Sequence, residues 1–111
     1  MSTPFLLHLL QAKPRLAGKV RLQTDKISGD QVLLYPEGVV LLNTTGEAIV
    51  RLCDGSHSFQ RILALLAERY NTTPEQLEDD VSEYLYTLHE QCLIELLEKG
   101  GDGSEKDFQY E

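Results

Sequence analysis

The sequence predicts an α+β domain, winged-helix-like, with a three-stranded antiparallel sheet followed by three helices. Three observations predict it. Short apolar or alternating runs at residues 20–24, 31–35 and 39–42 are separated only by turn residues. Three helix starts with recognisable caps follow. The strands all come before the helices, the order of an α+β domain rather than of repeated βαβ units.

Val20-Arg21-Leu22-Gln23-Thr24 alternates apolar and polar side chains, the pattern of a half-buried strand. Ser28-Gly29-Asp30 turns the chain into a second strand, Gln31 to Tyr35. Pro36-Glu37-Gly38 turns it again into the third, Val39 to Leu42. Tight turns between successive strands make a meander. Thr44-Thr45-Gly46-Glu47 then supplies a capping box, a hydroxyl residue with Glu three positions on, for a helix that runs to about Leu52 and stops at Asp54-Gly55. Ser58 caps the second helix, whose apolar face is Phe59, Ile62, Leu63, Leu65 and Leu66, and which ends at Tyr70-Asn71.

Thr73-Pro74-Glu75-Gln76 is the clearest start: Thr73 as N-cap, Pro74 at the first helical position, Gln76 completing the box. Leu77, Val81, Tyr84, Leu85 and Leu88 fall on one face of that third helix. Tyr86, two positions from Tyr84, points outward if Tyr84 is core. Leu93 to Leu97 is a short apolar finish packed on the core. Pro14 and Gly18 argue against a continuous helix in residues 1–18, which read as an N-terminal arm: mobile, or a short docking helix at Phe5 to Leu10. The domain proper is 19–97, and 98–111 read as a disordered acidic tail.

With 111 residues the chain is one domain with a small core. Its net charge of -8 is unevenly spread. Residues 1–30 hold five Lys/Arg against two Asp/Glu, whereas residues 71–111 hold two against twelve. The helix from Pro74 to Gln91 carries Glu75, Glu78, Asp79, Asp80, Glu83 and Glu90 and no Lys or Arg. Winged helices that bind DNA use their third helix. This one would repel phosphates and has no Arg to read bases, so nucleic acid is excluded as a partner. No apolar run approaches the roughly 18 residues that span a bilayer. Phe5 to Leu10 lacks a preceding Lys or Arg and is too short for a signal peptide, so no membrane partner is expected. Cys53 and Cys92 lie in apolar stretches and read as reduced core thiols of a cytoplasmic protein.

Catalytic and metal chemistry are suggested and then fail. Cys53-Asp54-Gly55-Ser56-His57 spells the signature for which one class of iron-sulfur protein is named, but that cluster needs three Cys and this chain has two. His89 and Cys92 with Cys53 and His57 match no zinc-finger spacing. Ser56 and Ser58 flank His57, yet adjacency along the chain is not triad geometry. Asp79, Asp80 and Glu83 read as a solvated helix face. No catalytic residue, metal site or cofactor is expected. What remains is an edge strand, Val39 to Leu42, able to accept a visiting peptide by β-augmentation, and a long helix beside it.

Leu33-Leu34-Tyr35-Pro36-Glu37-Gly38, Leu41-Leu42-Asn43, Leu52-Cys53-Asp54-Gly55, Asp80-Val81 and Ile94-Glu95-Leu96 resemble, in order and spacing, the pyrroloquinoline quinone (PQQ) biosynthesis protein D family (PqqD). The resemblance covers about Pro14 to Leu97. It implies three strands, three helices and no catalytic activity. It also implies a recognition element that binds a small precursor peptide between the third strand and third helix, and hands it to a radical S-adenosylmethionine (SAM) enzyme. Val39, Val40, Leu41 and Leu42 would then pair with the peptide, while Asp80, Glu83, Tyr84 and Thr87 line the opposite wall. The chain departs from the family at His57, where Arg is frequent, and in its two ends, Met1 to Gln11 and Lys99 onward. Two alternatives stand beside this reading: a recognition element for another ribosomally made peptide, and an acidic adaptor that binds proteins through its helical face. An open edge also permits a homodimer.

Overall fold

The computed structural model describes residues 3–98. Its elements in chain order are α1 (Thr3–Leu9), β1 (Ala12–Leu16), β2 (Arg21–Thr24), β3 (Gln31–Tyr35), β4 (Gly38–Leu42), α2 (Thr44–Arg51), α3 (Phe59–Tyr70), α4 (Pro74–Glu90) and β5 (Ile94–Glu98). The three expected strands are β2, β3 and β4, an antiparallel sheet in that order, and the three expected helices follow. Tyr35 pairs with Gly38, so the turn is Pro36-Glu37 alone and Gly38 already belongs to the strand.

Beyond these, the fold has a second sheet and an extra helix. Residues 1–18 read as an arm, yet β1 pairs antiparallel with β5, Leu16 opposite Ile94 and Ala12 opposite Glu98. Glu98, assigned to the acidic tail, is thus the last residue of β5; the rest of the tail lies outside the described residues. Pro14 survives in mid-strand because of phase. Its carbonyl accepts from Gly55 N at 2.9 Å, and Leu16 N donates to Cys53 O at 3.1 Å, so residues 14 and 16 face away from β5. The missing proline N–H is therefore on the side where β5 needs no donor. The Cys53-Asp54-Gly55 stretch is the other half of this junction. Gly55 has φ +84°, and a Cβ there would stand 3.2 Å from a Leu97 methyl.

The core gathers Leu33 from the sheet, Phe59 and Ile62 from α3, Leu85 and Leu88 from α4, Leu93, and Leu9 from α1, all essentially without solvent exposure. Phe5 of α1 is also buried and meets Tyr86 edge-on, ring centroids 5.1 Å apart, with His89 beside it at 5.2 Å. Tyr86 is therefore capped by the N-terminal helix rather than turned outward. The helix caps follow side-chain chemistry. Ser58 and Thr73 accept from the amides of Arg61 and Gln76. The cap of α2 is Asn43, whose Oδ1 accepts from Gly46 N at 2.7 Å, not Thr44. Asn is as good a cap as Ser or Asp, and its extended backbone lets β4 run directly into α2.

Candidate functional site

The site begins with the phase of β4. A two-residue hairpin turn closes on a hydrogen-bonded pair, here Tyr35 and Gly38. Antiparallel pairs then alternate, so Gly38, Val40 and Leu42 bond to β3, while the N–H and C=O of Val39 and Leu41 point away from it. No strand of the described residues lies on that side of β4. The side chains alternate too: Val39 is 56% and Leu41 71% exposed on the outer face, Val40 is half-buried, and Leu42 is buried in the core. Of the four strand residues expected to hold a peptide, two offer backbone groups outward, and the other two hold the strand to the sheet.

The residues expected to form the opposite wall all lie on α4. Asp80, Glu83, Tyr84 and Thr87 share one stripe of the helix and line a shallow groove with Tyr86, which the sequence reading left out. Asp80 and Glu83 are exposed carboxylates. Thr87 Oγ1 donates to Glu83 O of its own helix at 3.1 Å. Tyr84 is half-buried and leans on α2 at Gly46: a Cβ at that glycine would lie 2.5 Å from the tyrosine oxygen. Burial, and to a lesser degree the nearby Cys53, holds the Tyr84 phenol above its ordinary value, so it is a neutral hydroxyl at neutral pH. A glycine inside an amphipathic helix is the one sequence signal that could have marked this close approach.

The histidine and cysteine motifs fall elsewhere. Cys53 is buried, its thiol donates to Ile49 O, and burial with the adjacent Asp54 pushes it up to about 12. Cys92 is exposed. Asp54 accepts from Ser56 Oγ at 2.7 Å and contacts His57 Nδ1 at 3.1 Å. Its burial is outweighed by these bonds, which hold the carboxyl below its usual range. Ser56 Oγ also lies 3.2 Å from the same Nδ1 that meets Asp54, so His57 does not bridge carboxylate and serine through its two ring nitrogens as a triad histidine does. Among the described residues no three His, Cys, Asp or Glu cluster as a metal site, and no helix is long and apolar enough to cross a membrane.

An open apolar strand edge and a helix leaning on the element that follows it define a class: a small winged-helix-like α+β domain whose exposed feature is a strand left open on one side. Comparison with known proteins narrows the class. The model of the family described as coenzyme PQQ synthesis protein D (PqqD) matches residues 30–94, and the chain belongs to that family. It is 40% identical over 83 residues to the PqqA binding protein of Azotobacter vinelandii, covering 75% of this chain and 89% of that protein. It is 37% identical over 87 residues to the PqqA binding protein of Pseudomonas aeruginosa, covering 78% and 94%. The solution NMR structure of the PqqD truncation of Methylobacterium extorquens PqqCD, described as a functional and stand-alone recognition element for ribosomally synthesized and post-translationally modified peptides, superposes with a TM-score of 0.64. That likeness is at 32% identity and covers 74% of this chain and 87% of that one.

Proposed function

We propose that this protein is a non-catalytic peptide chaperone of PQQ biosynthesis. It binds the precursor peptide PqqA as an added strand on the outer edge of β4, against α4, and presents it to a radical SAM maturation enzyme in the cytoplasm. The observation that carries the reading is the edge itself: Val39 and Leu41 turn both their backbone groups and their apolar side chains outward. In β-augmentation the main chain supplies affinity, and side chains on alternate positions supply selectivity. Family membership and the PqqA-binding relatives support this ligand over another ribosomally made peptide. Asp80, Glu83, Tyr84 and Thr87 are the proposed second wall, and the protein needs no cofactor for this task. A homodimer formed through β4 would use the same edge and compete with the peptide.

The test is a calorimetric titration of the folded protein with synthetic PqqA. One-to-one binding at micromolar concentration or tighter is expected, with amide shifts centred on Val39–Leu42. Absence of heat and of amide shifts overturns the reading.

A further inference from the structure

Where β4 ends, the chain turns at Asn43 into α2, and a second cleft opens between α2, α3 and α4 with a volume of about 380 Å³. Its depth is apolar: Ile49, Leu66 and Val81 are each 2% exposed, and Leu77 with the Tyr70 and Tyr84 rings completes the walls. Its polar groups, Asn43, Thr45 and Asp80, are exposed ones. That size is near the bottom of the range of about 300–1,000 Å³ for small-molecule sites. It suits one large side chain better than a cofactor.

The cleft continues the strand edge. Asn43 follows Leu42 directly and lines it, so a peptide paired with Leu41 reaches it within about two residues at roughly 3.3 Å each. Tyr84 and Asp80 line both this cleft and the groove along α4. Gly46 sets its width. With no Cβ at 46, the Tyr84 ring can lie against α2; a methyl there would stand 2.5 Å from the tyrosine oxygen and 3.1 Å from Cζ.

We propose that this cleft is an anchor pocket for one large aliphatic or aromatic side chain of the bound peptide, placed just beyond the strand-paired stretch on the Leu42 side. The inference rests on the strand-pairing reading and deepens it. The ligand is a peptide with two separable parts: a backbone stretch laid on Val39–Leu41 and an apolar anchor beside it. Asp80 at the pocket favours a Lys or Arg next to the anchor over an acidic residue.

The experiment is a double-mutant cycle by calorimetry. PqqA peptides with each large apolar residue replaced by Ala are titrated into the wild type and into Leu77→Ala. Tyr70→Ala, at a partly exposed position, serves as a second variant should Leu77→Ala not fold. One peptide substitution is expected to weaken wild-type binding roughly ten- to hundredfold, the worth of one buried large side chain. The same substitution should weaken binding to the cleft variant far less. Intermolecular nuclear Overhauser contacts from that side chain to Leu77 and Tyr84 of the wild type are the second readout. Full additivity for every peptide position, or no such contacts while the peptide still binds, overturns the pocket and leaves strand pairing intact. Absence of all binding overturns both.

Discussion

The phase of β4 makes a sharp prediction about proline. Leu41 N–H points away from β3, and its side chain is 71% exposed. Proline at an edge position whose N–H faces outward removes no bond of the sheet, and its φ near −65° is within reach of a strand. Leu41→Pro should therefore fold, with a melting temperature within a few degrees of the wild type. It deletes a donor that a paired peptide needs, worth about 0.5–1.5 kcal/mol, and the peptide carbonyl left facing the ring adds a desolvation cost of about 1–3 kcal/mol. Binding should weaken at least about tenfold. Val40→Pro is the control. Val40 faces Leu33, which is fully buried, and its N–H belongs to the β3–β4 ladder. Losing that donor strands a buried carbonyl at about 1–3 kcal/mol, and each kilocalorie lowers the melting temperature of a domain this size by roughly 4–8 °C. Thermal melts followed by circular dichroism, with calorimetric titration of PqqA, read both effects. Wild-type affinity in a folded Leu41→Pro would refute strand addition, and an unshifted melt in Val40→Pro would refute the assigned phase.

Three further outcomes follow from the packing. Gly46→Ala should destabilise by about 1–3 kcal/mol, because the Tyr84 ring must yield to the new methyl. In a Tyr84→Ala background the same change should cost less, since only the Asn43 cap oxygen at 3.2 Å then opposes the helix preference of alanine, and urea denaturation measures the difference. Phe5→Ala should cost about 3 kcal/mol in the same assay, whereas an undocked arm would show no change. In thiol titration at pH 8, Cys92 should react in the native protein and Cys53 only after denaturation, because burial holds the Cys53 thiol up at about 12. Two equally reactive native thiols would contradict its position in the core.

The sheet β2–β3–β4, the three helices after it and two of their three caps were legible because each is a local pattern: alternation, turn residues, a hydroxyl before an apolar period. What escaped is what depends on partners far along the chain. Ala12–Leu16 carries a proline and two charges, and nothing local marks it as a strand. It becomes one because Ile94–Glu98, some eighty residues later, offers it a ladder in the one phase that spares Pro14. Phe5 likewise has no local reason to be buried until α4 presents Tyr86 and His89. Within the site, the residue types of α4 could be read, but not that Tyr84 would reach across to Gly46. Thr44, with Glu47 three positions on, meets the capping-box spacing and Asn43, with Gly46 there, does not, so only the extended backbone at 43 and its bond to Gly46 N reveal Asn43 as the cap.

The two edges of the β2–β3–β4 sheet are built differently, and the difference bears on function. β2 exposes Arg21, Gln23 and Thr24, the charged and polar surface by which natural sheets discourage pairing with strangers. β4 carries no charge between Gly38 and Leu42 and exposes Val39 and Leu41 instead. An uncharged apolar edge invites any chain, including a second copy of this one. The restraint comes from α4, which leans on Gly46 four residues past the end of β4 and bears six acidic residues with no Lys or Arg. Two copies approaching edge to edge bring two such helices together, and like charges oppose them. A short peptide with few acidic residues meets no such barrier. In the proposed peptide-binding role, the acidity that argues against nucleic acid would also bias an otherwise permissive edge toward a small ligand and away from self-association.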